Sequence, residues 1–313
     1  VVVRALFFGT PEISVPALNA LSAFADVVGV VCQPDRPAGR GMKLRAPAVK
    51  QRALELGLEV VQPNKIRSGA FVEWVRDKRA DVAVVIAYGR ILRPNVLDAP
   101  RRGCMNLHAS ILPDYRGAAP INWAIMDSKH ETGVCLMQMD VGCDTGPVFS
   151  THRLAIGHNE TAGELYVRLG ELAADVVTTD LRRAVEGELV AQPQNEALAS
   201  HAPMLSKEDG RVDWALPAQK VHDRARGVTP WPGAHTELAG QRFKLLVTRL
   251  ARAAHAAAEP GTIVAIEDDR AVVACGSGHI ELLRGQLAGK NALDAAQLAA
   301  GRKLMVGSRF GAP

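Results

Sequence analysis

Asn106, His108 and Asp144 are the residues of this chain whose types and spacing could carry a reaction. Asn106 and His108 stand two apart in the run Asn106-Leu107-His108-Ala109-Ser110-Ile111-Leu112-Pro113-Asp114-Tyr115-Arg116-Gly117. On a strand both side chains therefore project from one face. A strand ending there holds them over the carboxyl end of a sheet, where open α/β sheets place their ligands. Asp144 belongs to Met139-Asp140-Val141-Gly142-Cys143-Asp144-Thr145-Gly146, a glycine-rich loop able to fold back onto the pair. An amide and an imidazole can donate to an oxyanion while a carboxylate moves a proton, which is what acyl transfer requires. Residue types alone leave a plainer reading open: two polar side chains at a strand end, hydrogen-bonded to loops.

Other segments could contribute. Between Pro34 and Pro47 the chain carries Arg36, Arg40, Lys43 and Arg45 against Asp35 alone, among glycines and Pro37. A solvated basic loop is the ordinary outcome of such a stretch. It nevertheless follows a strand directly, at the functional edge of the sheet, and its arginines suit a segment that orders on phosphates and splayed bases. Tyr88 and Ile91 follow the strand at 81–87, where they could line a ligand pocket or pack the strand end. Cys143 reads as a loop thiol rather than a nucleophile, because no second histidine neighbours it. No His/Cys/carboxylate cluster has ligand spacing, so no metal is expected.

The elements that must position these groups follow from apolar patterning. Val1–Phe8 is an apolar run broken only by Arg4 and ending in Gly9-Thr10-Pro11, without the alternation of a half-exposed strand, as for a strand buried on both faces. Pro11 suits a helix start, and Val15, Leu18 and Leu21 recur at helical spacing. Strands are expected at 27–32, 58–62, 81–87 and 103–108, with helices at 47–56, 69–78 and 118–127. This alternation argues for a Rossmann-like, doubly wound, mainly parallel α/β sheet. The first turn lacks GxGxxG, which counts against a dinucleotide dehydrogenase. A hairpin over 132–139 and 148–154 would present Asp144, and 161–186 has helical spacing. Domains are expected at 1–189 and 206–313, joined by a linker at 190–205 that contains two prolines. Short strands at 243–249, 262–266, 271–275 and 279–283 predict an OB-like β-barrel in the second domain, closed by a helix at 292–298.

The 313 residues are 48% hydrophobic and 22% charged, which excludes a disordered chain. No apolar run approaches the ~20 residues of a membrane span, and nothing reads as a signal peptide. Five cysteines without CxxC spacing suggest reduced thiols and a cytoplasmic protein. The net charge of +4 is uneven. Residues 204–313 hold 15 Lys+Arg against 11 Asp+Glu, hence +4, and residues 1–203 hold 22 of each. A basic second half favours an anionic partner.

The chain resembles the folate-dependent formyltransferases. The likeness rests on the Asn106-x-His108-x-Ser110-Ile111-Leu112-Pro113 stretch and the Asp140-x-Gly142-x-Asp144-Thr145-Gly146 loop. Further segments carry it toward the branch whose acceptor is methionine esterified to tRNA. They are Gln33-Pro34-Asp35-Arg36-Pro37-Ala38-Gly39-Arg40-Gly41, Arg116-Gly117-Ala118-Ala119-Pro120-Ile121, Leu205-Ser206-Lys207-Glu208 and Pro230-Trp231-Pro232. The resemblance spans nearly the whole chain. It implies the formyltransferase fold and transfer of the formyl group of 10-formyltetrahydrofolate to the α-amino group of initiator Met-tRNA. It implies Asn106, His108 and Asp144 as the catalytic trio. It further implies folate contacts from Ser110, Ile111, Leu112 and Pro113, with Tyr88 and Ile91 beside the pterin. Arg40 first, then Arg36, Lys43 and Arg45, would meet the tRNA acceptor arm, and the barrel would hold the tRNA. Asp114 stands where relatives often carry Arg or Lys, which removes a positive charge near the mouth of the site. A monomer is expected. The rivals are sibling enzymes that share the trio and formylate an amino-sugar nucleotide or glycinamide ribonucleotide, or hydrolyse the donor. A nucleic-acid-binding protein without catalysis is a further alternative.

Overall fold

The computed structural model describes residues 2–38, 43–253 and 255–311. Strand β1 (Arg4–Gly9) is buried throughout after Arg4, and helix α1 (Ser14–Phe24) returns the chain to β2 (Asp26–Val31). Pro11 lies in the turn before α1 rather than at its first residue. A short hairpin, β3 (Arg36–Ala38) with β4 (Lys43–Arg45), stands where a loop was expected. Then come α2 (Ala48–Glu55), β5 (Val60–Val61), α3 (Gly69–Asp77), β6 (Val82–Ile86), α4 (Pro94–Leu97) and β7 (Cys104–His108). Next are β8 (Arg116–Gly117), α5 (Pro120–Met126), β9 (Glu131–Gln138) and β10 (Val148–Ala155). The helical stretch after β10 divides into α6 (Ala162–Val176), a π-turn at Val177–Leu181 and α7 (Arg182–Glu186).

The sheet order is β10-β9-β7-β6-β1-β2-β5. β2, β5, β6 and β7 run parallel within it, and β9 joins β7 antiparallel. From β1 the chain moves outward to β2 and β5, then crosses back to β6 on the other side. The carboxyl ends of β1 and β6 therefore flank a topological switch point, the place where such sheets open a crevice. The α/β expectation holds, because these strands carry near-continuous apolar runs that only a sheet covered on both faces can bury. Leu6, Phe8, Val31, Ala83 and Val85 pack with Phe71, Val72 and Val75 of α3.

The chain forms two compact units. The first comprises Val1–Ala118, Thr132–Leu154 and Tyr166–Ala202, and the second Ala119–Glu131, Ala155–Leu165 and Pro203–Pro313. In the first unit, β11 (His201–Ala202) pairs in parallel with β8. The second unit contains α8 (Ala218–Gly227), β12 (His235–Leu238), β13 (Gln241–Leu250), β14 (Ile263–Glu267), β15 (Arg270–Ala274), β16 (His279–Leu287), β17 (Leu293–Asp294) and α9 (Ala295–Ala300). Its sheet order is β12-β13-β16-β15-β14. Arg309 bridges Thr262 beside β14, and Phe310 bridges Leu238 of β12. The C-terminal segment thus joins both sheet edges and closes a small antiparallel barrel. Phe310 stacks on Trp214 at 5.3 Å and meets Phe243 at 5.2 Å in its core.

Helix α8 escaped sequence patterning for a physical reason. Its buried face includes His222, Asp223 and Arg226, so apolar periodicity is broken. Asp223 accepts from Arg226 Nε at 2.7 Å, and Arg226 Nη1 donates to the carbonyls of Gly157 and Glu160. Buried charges persist only when paired in this way. Among the described residues, no helix is long and apolar enough to cross a membrane.

Candidate active site

The end of β7 presents Asn106 and His108 on one side, as their spacing requires. Asn106 is paired with Val85 near the end of β6, which sets it beside the switch point. His108 is only 6% exposed, and its Nε2 lies 2.9 Å from the Tyr115 carbonyl oxygen. A carbonyl only accepts, so Nε2 carries the proton and Nδ1 is the nitrogen turned to the site. Nδ1 stands 3.6 Å from Asp144 Oδ2. The same oxygen accepts the Gly117 backbone N–H at 2.9 Å, while Oδ1 lies 3.4 Å from Asn106 Nδ2. The amide, ring and carboxylate expected to act together therefore converge. With Nε2 held by Tyr115, His108 is arranged to exchange a proton through Nδ1 alongside Asp144.

The Asp144 loop is shaped by its own residues. Asp140 accepts from the Gly142 N–H and from Thr145 Oγ1, a local side-chain-to-backbone turn. A Cβ at Gly146 would stand 1.9 Å from the Gln138 carbonyl oxygen, so only glycine lets the loop lie against β9. Asp144 itself sits at φ 55, a left-handed conformation that short polar residues tolerate best. Cys143 is exposed, and its thiol lies 3.7 Å from Asp144 Oδ2. Partial burial, with the Asp144 charge adding to it, holds that thiol above its ordinary pKa.

The expected folate residues divide. Leu112 is buried against Cys135 and Met137, and the Ser110 hydroxyl donates to the Asp114 carbonyl at 2.6 Å. Both are spent on shaping the loop, while Ile111 and Pro113 are partly exposed. The Tyr88 ring packs edge-on to Phe8 in the core, with centroids 5.4 Å apart. Its backbone carbonyl, not its ring, faces the crevice and accepts from Thr10 Oγ1 and Gln33 Nε2. Ile91 is 78% exposed and lines a cleft of about 560 Å³ with Asn64, Lys65, Ile66, Arg67 and Arg90. The Arg90 guanidinium is anchored to Gln33 Oε1 and to the carbonyls of Pro63 and Asn64.

Of the basic residues, Arg36 and Arg45 line a second cavity, about 430 Å³, at the switch point with Thr10, Gln33 and Tyr88. Lys43 is exposed on β4, and Arg40 lies outside the described residues. Among the described residues no group of three or more His, Cys, Asp or Glu could hold a metal ion. Sequence patterning includes Arg116 and Gly117 in the motif without giving either a role, and it misses Gln194 and Ser200. They act through backbone atoms or over more than 75 residues, so no local spacing announces them.

Residues 4–181 match the family model described as formyl transferase, and residues 204–303 match formyl transferase, C-terminal domain. A methionyl-tRNA formyltransferase of Sorangium cellulosum is 57% identical over 98% of this chain and 99% of its own. One from Geobacter metallireducens is 44% identical over 98% of each. Among solved structures, WlaRD, a sugar 3N-formyl transferase in the presence of dTDP and 5-N-formyl-THF, superposes with a TM-score of 0.68. It is 16% identical and covers 93% of this chain and 100% of that one, a likeness of fold.

Proposed function

This chain belongs to the formyl transferase family, and we infer that it moves the formyl group of 10-formyltetrahydrofolate onto the α-amino group of initiator Met-tRNA, giving N-formylmethionyl-tRNA for translation initiation. One observation carries this reading. An amide, an imidazole and a carboxylate converge at the end of β7 in a chain matching methionyl-tRNA formyltransferases over nearly its full length.

A free α-amino group has a pKa of ~7.7–8.0, and the adjacent ester draws it lower. The amine is therefore substantially neutral and needs little activation. The demanding species is the tetrahedral intermediate, whose oxyanion requires donors worth ~2.7–4 kcal/mol each. Asn106 Nδ2 supplies one. As the amine adds, its proton passes to the His108 Nδ1–Asp144 pair. An imidazolium formed there keeps both nitrogens partnered, Nε2 by Tyr115 and Nδ1 by Asp144. The same pair returns the proton to the departing folate nitrogen. Ser110–Pro113 shape the donor side. The cleft at Ile91 joins apolar Ile66 and Ile91 to Lys65, Arg67 and Arg90, a lining suited to a flat ring system that carries carboxylates. Arg36, Lys43, Arg45 and Arg40 serve the acceptor arm, with the domain from 206 onward holding the tRNA body. The protein works as a monomer in the cytoplasm, where initiation takes place.

The test is donor labelled in its formyl group, offered with Met-tRNA, an amino-sugar nucleotide or glycinamide ribonucleotide. Label is expected on the methionyl amine and lost in His108→Ala and Asp144→Ala. Label on another acceptor, or free formate with every acceptor, would overturn the reading.

A further inference from the structure

We infer that residues 192–202 form a strap that sets the orientation of His108 and Asp144, with Gln194 and Ser200 as its positioning residues. This rests on the reading of Asn106, His108 and Asp144 as the reacting groups.

The strap is bonded to the site along its length, within the first unit. Gln192 and Val148 exchange backbone hydrogen bonds of 2.8 Å. Gln194 Nε2 donates to the carbonyls of Asp144 at 2.8 Å and Gly146 at 2.7 Å. Its Oε1 accepts from Arg116 Nε and Nη2, and Arg116 also forms a two-pronged pair with Glu196. Arg116 is 3% exposed, so this brace is fixed by packing as well as charge. Farther along, Ser200 Oγ accepts the Tyr115 N–H at 2.9 Å, and its backbone N–H donates to Pro113. Ala202 pairs with Gly117, and a Cβ on Gly117 would stand 2.7 Å from the Ala202 carbonyl oxygen.

Each group that holds His108 is thus itself held by the strap. Gln194 fixes the backbone of Asp144, the partner of Nδ1. Ser200 fixes Tyr115, whose carbonyl is the partner of Nε2. Ala202 lies against Gly117, which donates to the Asp144 carboxylate. Asp144 and Tyr115 have φ of 55 and 61, values that non-glycine residues keep only where the surroundings over-determine them. The Gln194 amide suits its place because it uses both donor and acceptor. A glutamate there would turn a charged oxygen toward two carbonyl oxygens.

Gln194→Met, Gln194→Glu and Ser200→Ala would be compared with Asp144→Asn by steady-state kinetics, thermal unfolding and amide hydrogen exchange. For Gln194→Met and Gln194→Glu, kcat should fall about 10–100-fold, with KM for donor and Met-tRNA within about 2-fold. The unfolding temperature should drop, more for Glu, whose charged oxygen faces two carbonyls, while staying above the assay temperature. Exchange of the Gly117 amide should quicken. Gln194→Met combined with Asp144→Asn should be no slower than Asp144→Asn alone, since the first residue acts through the second. Ser200→Ala removes a single oxygen and repeats the test from the Tyr115 side, should the Gln194 variants fail to fold. Wild-type kcat in Gln194→Met and Ser200→Ala, or losses that add fully to that of Asp144→Asn, would overturn the strap's role while leaving the trio in place. Wild-type kcat in Asp144→Asn would overturn the trio and the strap's role with it.

Discussion

Asp144 is the residue on which the site's electrostatics turn. Its carboxylate accepts from the Gly117 N–H and the Asn106 amide and stands 3.6 Å from His108 Nδ1, so it positions the amide and is placed to balance an imidazolium while remaining a proton acceptor. Replacing it by Asn keeps the shape but puts a donor where an acceptor is needed. We expect kcat of Asp144→Asn to fall about 10²–10⁴-fold, the usual worth of positioned proton transfer, with an unchanged unfolding temperature. Cys143 reports on the same charge. Burial and then Asp144 raise its thiol pKa, so iodoacetamide should alkylate it slowly at neutral pH. In Asp144→Asn the reaction should quicken at a given pH, because one of the two causes has gone. An equal rate in both proteins would show that the carboxylate does not face the thiol.

Two elements make predictions of their own. Strand β8 is two residues long, yet it supplies the Gly117 N–H to Asp144 and the ladder to β11. Gly117 has φ 121, and a Cβ there would press on Ala202. Gly117→Ala should therefore lower both the unfolding temperature and kcat, whereas Gly187→Ala, at a helix end with open space around it, should leave kcat alone. In helix α8, His222 is sealed between Thr248 Oγ1 at 2.9 Å and the His158 carbonyl at 3.1 Å. Burial lowers its pKa below the ordinary 6.5, against the raising effect of that carbonyl. A histidine held neutral in this way takes its proton more readily in the unfolded chain. Its contribution is complete above pH 6.5 and is lost as the pH falls through 6.5 toward the lowered folded value. His222→Gln should flatten the dependence of unfolding temperature on pH between 8 and 5, seen as a smaller drop than in the wild type.

Charge is a property of the whole molecule here. The net +4 resides in residues 204–313 by count, and Arg36, Lys43 and Arg45 add a local basic hairpin. An acceptor that is a polyanion should bind with strong salt dependence. KM for Met-tRNA should rise steeply between 50 and 300 mM salt, while KM for the folate donor changes little. Removing Arg36, Lys43 and Arg45 together should reduce the slope of log KM against log salt by about 2, at ~0.7 per phosphate contact. An unchanged slope would remove the hairpin from the tRNA surface.

What the sequence determined by itself is the part governed by local rules. Period and apolar runs place β1, β2, β6 and β7, because a doubly covered sheet demands such runs whatever surrounds them. The two-residue spacing of Asn106 and His108 determines their common face, and the glycines of the Asp144 loop announce a tight turn. The pairing of β3 with β4 was hidden by its composition, and α8 by the buried His222, Asp223 and Arg226, whose pairing is arranged by residues far along the chain. Only the tertiary structure decided that Tyr88 turns its ring into the core and its carbonyl to the crevice. It also decided that His108 spends Nε2 on Tyr115 and that Gln194, 50 residues from Asp144, holds that residue's backbone. The physical reason is common to these cases. Hydrogen bonds to main-chain atoms and pairing of buried charges depend on which segments meet, and a single sequence does not encode that meeting in any local spacing.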